Sequence, residues 1–420
     1  MNNEKLERVP KLRFPEFEGM DKWEDKYLEK ICQKISQGGT PDTLNPNYWN
    51  GNIEWLTPAE MGKLTTRFIT STNRKITETG LQKCSSSLLP INSVILSTRA
   101  PIGHLVINKS KMAINQGCKG LIPKKTTNHN YLYYSLFNQK SLLNDLGSGN
   151  TFKELSASTL KKIKIQLPKL PEQKKIANCL SSIDKLITFQ TQKIDNLKTH
   201  KKGLMQHLFP AEGKTSPKLQ FPEFEGMDKW EDKYLEKICQ KISQGGTPDT
   251  LNPNYWNGNI EWLTPAEMGK LTTRFITSTN RKITETGLQK CSSSLLPINS
   301  VILSTRAPIG HLVINKSKMA INQGCKGLIP KKTTNHNYLY YSLFNQKSLL
   351  NDLGSGNTFK ELSASTLKKI KIQLPKLPEQ KKIANCLSSI DKLITFQAQK
   401  LDNLKTHKKG LMQQLFPAIN

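Results

Sequence analysis

Leu167-Pro168-Lys169-Leu170-Pro171-Glu172-Gln173-Lys174-Lys175-Ile176 opens the stretch that decides the fold. Two prolines close an extended run, and from Glu172 to Phe209 the only Gly or Pro is Gly203. Along that stretch Ile176, Leu180, Ile183, Ile187, Gln190, Ile194, Leu197, Lys201, Leu204 and Leu208 fall alternately four and three apart. A 3.5-residue period held this long predicts one long helix with a single narrow apolar stripe. Pro171 suits its first turn and Pro210 its stop. At 1.5 Å per residue, Ile176 to Leu208 spans about 48 Å. Such a stripe is too long and narrow to lie on its own globular body. It calls for a second helix, and the polar Gln190 at a seam position either fixes the register of the pair or marks a solvated gap where the helices bow apart.

The second helix is in the same chain. Lys11 to Ala211 returns as Lys218 to Ala418, 207 positions later and without a gap. Only four positions differ: Arg13 becomes Gln220, Thr191 becomes Ala398, Ile194 becomes Leu401 and His207 becomes Gln414. A repeat of about 200 residues is domain-sized and can bury its own core. Upstream of the helix, short β-rich runs (Ile53–Leu56, Ser93–Ser97, His104–Ile107, Gly120–Ile122) alternate with turn signals, and a helical pattern covers Tyr131 to Leu146. The expected class is α+β: two mixed α/β globular bodies, 11–170 and 218–377, and two long helices, 171–210 and 378–417, with a connector at 211–217. With so short a connector, the stripes are buried most economically as an antiparallel coiled coil about a pseudo-twofold axis.

The net charge of +29 divides evenly between the copies, because their only charge difference is Arg13 against Gln220. So large a positive charge on each unit points to a polyanionic partner, nucleic acid foremost. The eight cysteines, four per copy, form no C-x-x-C pair. Scattered thiols, an N-terminus without an apolar h-region and the lack of any 18-residue apolar run lead to the expectation of a cytoplasmic protein that does not enter a membrane.

Placed in order, further segments resemble a known family. They are Phe14-Pro15-Glu16-Phe17 with Trp23 and Leu28, Gly38-Gly39-Thr40-Pro41, Ile53-Glu54-Trp55, Arg99-Ala100-Pro101-Ile102-Gly103, Asn115-Gln116-Gly117, Gly149-Asn150-Thr151-Phe152-Lys153 and the proline-rich helix start. Each copy resembles one half of the specificity subunit of a type I restriction-modification enzyme. The resemblance implies that each body is a target recognition domain reading half of a split DNA site. It also implies that the helices are a spacer and a dock for two methyltransferase subunits, joined in the full complex by two restriction subunits. Residues 14 to 171 are identical to 221 to 378. Identical readers imply an interrupted palindrome as target.

No catalytic or metal-binding residue is expected, and no cofactor. Asn45-Pro46-Asn47-Tyr48 is similar to the Asn-Pro-Pro-Tyr of amino-methyltransferases, but its third residue is Asn and no Gly-rich strand-to-helix turn precedes it. It reads as a polar turn with an aromatic anchor. Gly38-Gly39 and Gly147-Ser148-Gly149 lack the G-x-x-x-x-G-K-[ST] pattern of a phosphate loop. His104 and His129 have no partners at metal or triad spacing. The rival readings are a degenerate adenine-N6 DNA methyltransferase, which would bind S-adenosylmethionine, and a coiled-coil assembly protein with non-specific DNA binding.

DNA reading calls for Arg and Lys toward guanine or phosphate, Asn and Gln toward adenine, and small hydroxyls toward the backbone. The loops that combine these types supply the candidates Gln37, Thr40, Arg67, Asn73, Arg74, Lys75, Arg99, Gln116, Lys119, Thr151 and Lys153. Their counterparts are Gln244, Thr247, Arg274, Asn280, Arg281, Lys282, Arg306, Gln323, Lys326, Thr358 and Lys360.

Overall fold

A computed structural model describes residues 9–147, 154–227, 229–306, 308–354 and 361–417. The chain divides into two compact units that do not follow the repeat boundary: residues 1–191 with 400–420, and residues 192–399.

In the first unit the body is built on a five-stranded sheet of β2 (Cys32–Gln37), β4 (Phe68–Ile69), β6 (Val94–Ser97), β7 (Leu105–Asn108) and β9 (Cys118–Pro123), in the order β2-β9-β6-β7-β4. All its pairings are antiparallel except β4 with β7. A second sheet has the order β5-β3-β8, from β3 (Trp49–Leu56), β5 (Lys75–Ile76) and β8 (Met112–Ile114). A two-stranded ribbon joins β1 (Glu24–Tyr27) to β10 (Lys164–Leu167), tying the start of the body to the segment that enters the long helix.

The central strands read as continuous apolar runs because both their faces are covered. Val94 and Leu96 of β6 pack toward Tyr131, Leu132 and Leu136, while Ile95 between them packs with Leu56, Met112 and Ile114. Alternate strand residues point to opposite faces, so one strand serves two cores. The four runs expected as strands fall in or across β3, β6, β7 and β9. The helical pattern from Tyr131 to Leu146 is two helices, His129–Asn138 and Lys140–Asp145, broken at Gln139. Gln139 has the dihedrals −92° and 13° and sends its side-chain amide to the Lys164 carbonyl at 3.2 Å, which holds the break.

The first long helix runs from Leu170 to Leu208 and the second from Leu377 to Leu415. Within the first unit, Ile176, Ala177 and Leu180 share a core with Met412, Leu415 and Phe416 from the end of the second helix. Lys408, one turn earlier on that helix, reaches Asp184 at 2.7 Å. The two segments therefore run antiparallel within this unit. Burying side chains of this size contributes about 1.5–3 kcal/mol each, so the body is finished by residues from the far end of the chain. The second unit repeats the arrangement with Met205, Leu208 and Phe209 packed against Ile383, Ala384 and Leu387. Lys201, a polar interruption of the seam, pairs with Asp391 at 2.7 Å and lies over Tyr341 and Phe344 at 5.2 and 5.3 Å.

Candidate nucleic-acid interface

The ends of β2, β6 and β9 meet at one edge of each body. Gln37 of β2 stands opposite Lys119 of β9, which also pairs with Leu96 of β6. The chain leaves β2 through Gly38 and Gly39, where a Cβ on Gly38 would come within 1.9 Å of the Asn115 carbonyl oxygen. Only glycine permits that approach, and it brings the Thr40 loop against the turn between β8 and β9. There the Thr40 hydroxyl donates to Gln116 Oε1, and Asn115 Nδ2 donates to Thr40 Oγ1 and Gln116 Oε1, each at 2.8 Å. Asn115 Oδ1 accepts from the Gly117 amide at 2.9 Å, so the amide side chain is fixed on both sides.

Arg99 follows β6 at the same edge. Its Nε donates to Glu154 Oε2 at 3.1 Å, and the two residues also form an isolated backbone bridge. Burial lowers the Lys119 amine, while the nearby Glu154 carboxylate raises it and Arg99 lowers it further. Gln37, Thr40, Arg99, Gln116 and Lys119 thus form one polar cluster, repeated by Gln244, Thr247, Arg306, Gln323 and Lys326.

Trp55 links this cluster to a second. Its indole N–H donates to the Gly39 carbonyl at 2.9 Å, and its backbone amide donates to the Arg74 carbonyl at 3.1 Å. The Arg74 guanidinium lies 3.7 Å from the Trp49 ring centroid and 5.3 Å from that of Trp55. It is exposed yet held against the ring face by a cation–π contact, which limits the directions its donors can take. Asn73 is exposed beside it, and Lys75 pairs with Glu54 at 2.8 Å. Burial would raise the Glu54 carboxyl, but hydrogen bonds from Lys75 and Thr72 bring it below its ordinary value. Asn280, Arg281 and Lys282 repeat this arrangement over Trp256 and Trp262.

Arg67 and Arg274 are placed differently from the other candidates. The Arg67 side chain is only 8% exposed, with Nη1 donating to Asp184 Oδ2 at 3.0 Å, and its guanidinium lies over Phe68 and Tyr134. Arg274 is equally buried against Asp391 and Tyr341. Their loops look like DNA-reading loops in sequence, and in the fold these two side chains face the long helix. Lys119 and Lys326 are also buried, at 5%, so at this edge they act on their neighbours' charge more than on the surface. Thr151, Lys153, Thr358 and Lys360 lie outside the described residues.

Glu154 and the edge-to-face pair Trp49 and Trp55 adjoin these clusters, though sequence reasoning names none of them as candidate contacts. The available signal was an acidic residue directly after the basic Asn150–Lys153 motif in a chain with this positive charge. Asn45 is a turn residue, its side chain accepting from the Asn47 amide at 3.0 Å. Among the described residues no group of three or more His, Cys, Asp or Glu could hold a metal ion, and no helix is long and apolar enough to cross a membrane.

The type I restriction modification DNA specificity domain model matches residues 20–199 and again residues 227–406. The chain belongs to that family. Over 226 residues it is 35% identical to the MjaIX specificity subunit of a type I restriction enzyme from Methanocaldococcus jannaschii, covering 53% of this chain and 49% of that one. Over 276 residues it is 27% identical to the EcoR124I/EcoR124II specificity subunit of Escherichia coli, covering 63% of each. The chain thus spans about half the length of the first relative and 63% of the second. In fold, it is similar to the S subunit of a type I restriction-modification system from M. genitalium, with a TM-score of 0.63 at 14% identity, covering 98% of this chain and 100% of that one. A structure from work on the assembly and conformational transition of the type I R-M system matches with a TM-score of 0.59 at 18% identity, covering 94% of this chain and 98% of that one. The specificity domain therefore occurs twice here, and the polar clusters described above lie within both matched segments.

Proposed function

We propose that the chain is the DNA-specificity subunit of a type I restriction-modification system, with no catalysis of its own. Each body is a target recognition domain whose Gln37–Thr40, Asn73–Lys75, Arg99 and Asn115–Lys119 loops, with Thr151 and Lys153, and the equivalents in the second copy, contact DNA. The observation that carries this reading is the doubled specificity domain with two sequence-identical polar clusters. Because the readers are identical, the target is one half-site repeated in inverted orientation around an unread gap.

The helices dock two methyltransferase subunits, and two restriction subunits complete the assembly, which works in the cytoplasm. On the first helix Leu186 and Phe189 are exposed, on the second Leu393 and Phe396. Phe396 rims a cavity of about 650 Å³ that Phe344, Lys347 and Lys392 also line. Apolar side chains rimmed by cations suit a partner helix with apolar and acidic faces.

The test is reconstitution. The purified chain alone should transfer no methyl group and hydrolyse no ATP, and co-purification with its methyltransferase subunit should confer adenine methylation on DNA carrying the site. Turnover by the chain alone would overturn the reading.

A further inference from the structure

Arg99 and Glu154 make an unusual surface for a basic DNA-facing edge. Their side chains are 48% and 38% exposed, so in water their ion pair contributes little to stability. The local structure does not depend on it, because the Leu155 amide already bonds to the Thr98 carbonyl at 2.8 Å. A carboxylate at this edge would be repelled by phosphates, and its useful partner in DNA is a base amino group.

The geometry leaves both side chains half-used. The Arg99 Nε is committed to Glu154 Oε2, while its terminal nitrogens carry no hydrogen bond to a described residue. Glu154 Oε1 is likewise without a hydrogen bond among the described residues. Lys119 lies buried behind them, close enough for the Glu154 carboxylate to raise its amine against the lowering by burial. An oriented donor fork and an oriented acceptor, side by side, match what a G·C pair displays in the major groove: guanine O6 and N7 as acceptors and the cytosine N4 amine as donor.

We propose that Arg99 and Glu154 read one G·C base pair in each half-site as a unit, with Arg306 and Glu361, paired at 3.1 Å, reading its inverted counterpart. This rests on the specificity-subunit reading above. Arg99 takes the guanine edge, Glu154 accepts from cytosine, and the ion pair between them sets their spacing before DNA arrives.

The test uses the whole chain with its methyltransferase subunit in a host whose methylated motif is then sequenced. The wild-type complex should give a motif with a G·C pair in each half. Glu154→Gln with Glu361→Gln keeps the side-chain volume, and the amide can donate as well as accept. It should therefore relax that position, with discrimination falling about tenfold, while the other positions hold. Arg99→Lys with Arg306→Lys, which removes the fork and keeps the charge, should relax the same position. A motif without a G·C pair, or one unchanged in both double variants, overturns the proposal while leaving the specificity-subunit reading intact. A wild-type complex that methylates no defined motif overturns both.

Discussion

Asp184 on the first long helix accepts from Arg67 at 3.0 Å and from the Tyr134 hydroxyl at 2.6 Å, and so clamps the recognition body to the helix. Lys408 completes the cluster at 2.7 Å. Burial and the adjacent carboxylate both push the Tyr134 phenol well above its ordinary value, so it stays a donor at any pH the protein meets. His129, at the same corner, is pushed down to about 4 by burial and the neighbouring Lys109 and Arg67, and is neutral at pH 7. Asp184→Asn strands a buried guanidinium. It should destabilise the first unit by about 3–5 kcal/mol, read as a lowered melting temperature.

Because Arg67 and Arg274 face the helix, Arg67→Ala with Arg274→Ala should lower the melting temperature and leave the salt dependence of DNA binding unchanged. Arg99→Ala with Arg306→Ala should do the opposite, weakening specific-site binding more than either substitution alone at nearly unchanged stability. Binding isotherms at several salt concentrations, with thermal melts, separate the two pairs.

The salt dependence itself should be steep. If each body contacts about four to six phosphates, the slope of log K against log salt is roughly −7 to −11, at about −0.9 per phosphate. A slope near zero would assign the charge of +29 to some other partner.

The copies should differ in stability at position 13 against 220. Arg13 holds Glu172 with two bonds of 2.8 and 2.9 Å, whereas Gln220 makes one bond of 3.1 Å to Glu379. Burial raises Glu379 above its ordinary value of 4.5 despite the Gln220 bond. A carboxyl raised on folding contributes stability that is full below the ordinary value and lost as pH rises through the raised one. Gln220→Arg should therefore stabilise the second unit by about 1.5–3 kcal/mol at pH 7 and by little near pH 4. Melting curves at the two pH values check it.

Much of this could be read from the residues. The 3.5-residue period from Ile176 to Leu208 lies in one helix, and the apolar runs became strands because their local pattern agrees with their burial. The inward turn of Arg67 was not legible, because loop composition does not say which way a side chain turns and its partner is 117 residues away on the long helix. Glu154 escaped notice because its meaning depends on Arg99 and Lys119, which only the folded sheet edge brings near it. The antiparallel pairing of the helices was legible, but not that Met412, Leu415 and Phe416 would complete the core of the first body.

The helices should set the gap in the target. Deleting one heptad from each, Gln190 to Asn196 and Gln397 to Asn403, removes about 10 Å of rise, or about three base pairs. The preferred gap should shorten while the half-sites stay the same, which selection of bound fragments from random DNA would show.

The most direct measurement is the methylated motif of a host carrying this chain with its methyltransferase subunit. Two identical recognition domains predict a palindrome of two short half-sites around an unread gap of roughly one to one and a half helical turns, with the same adenine modified on both strands. An asymmetric motif, or an uninterrupted one, would contradict the account.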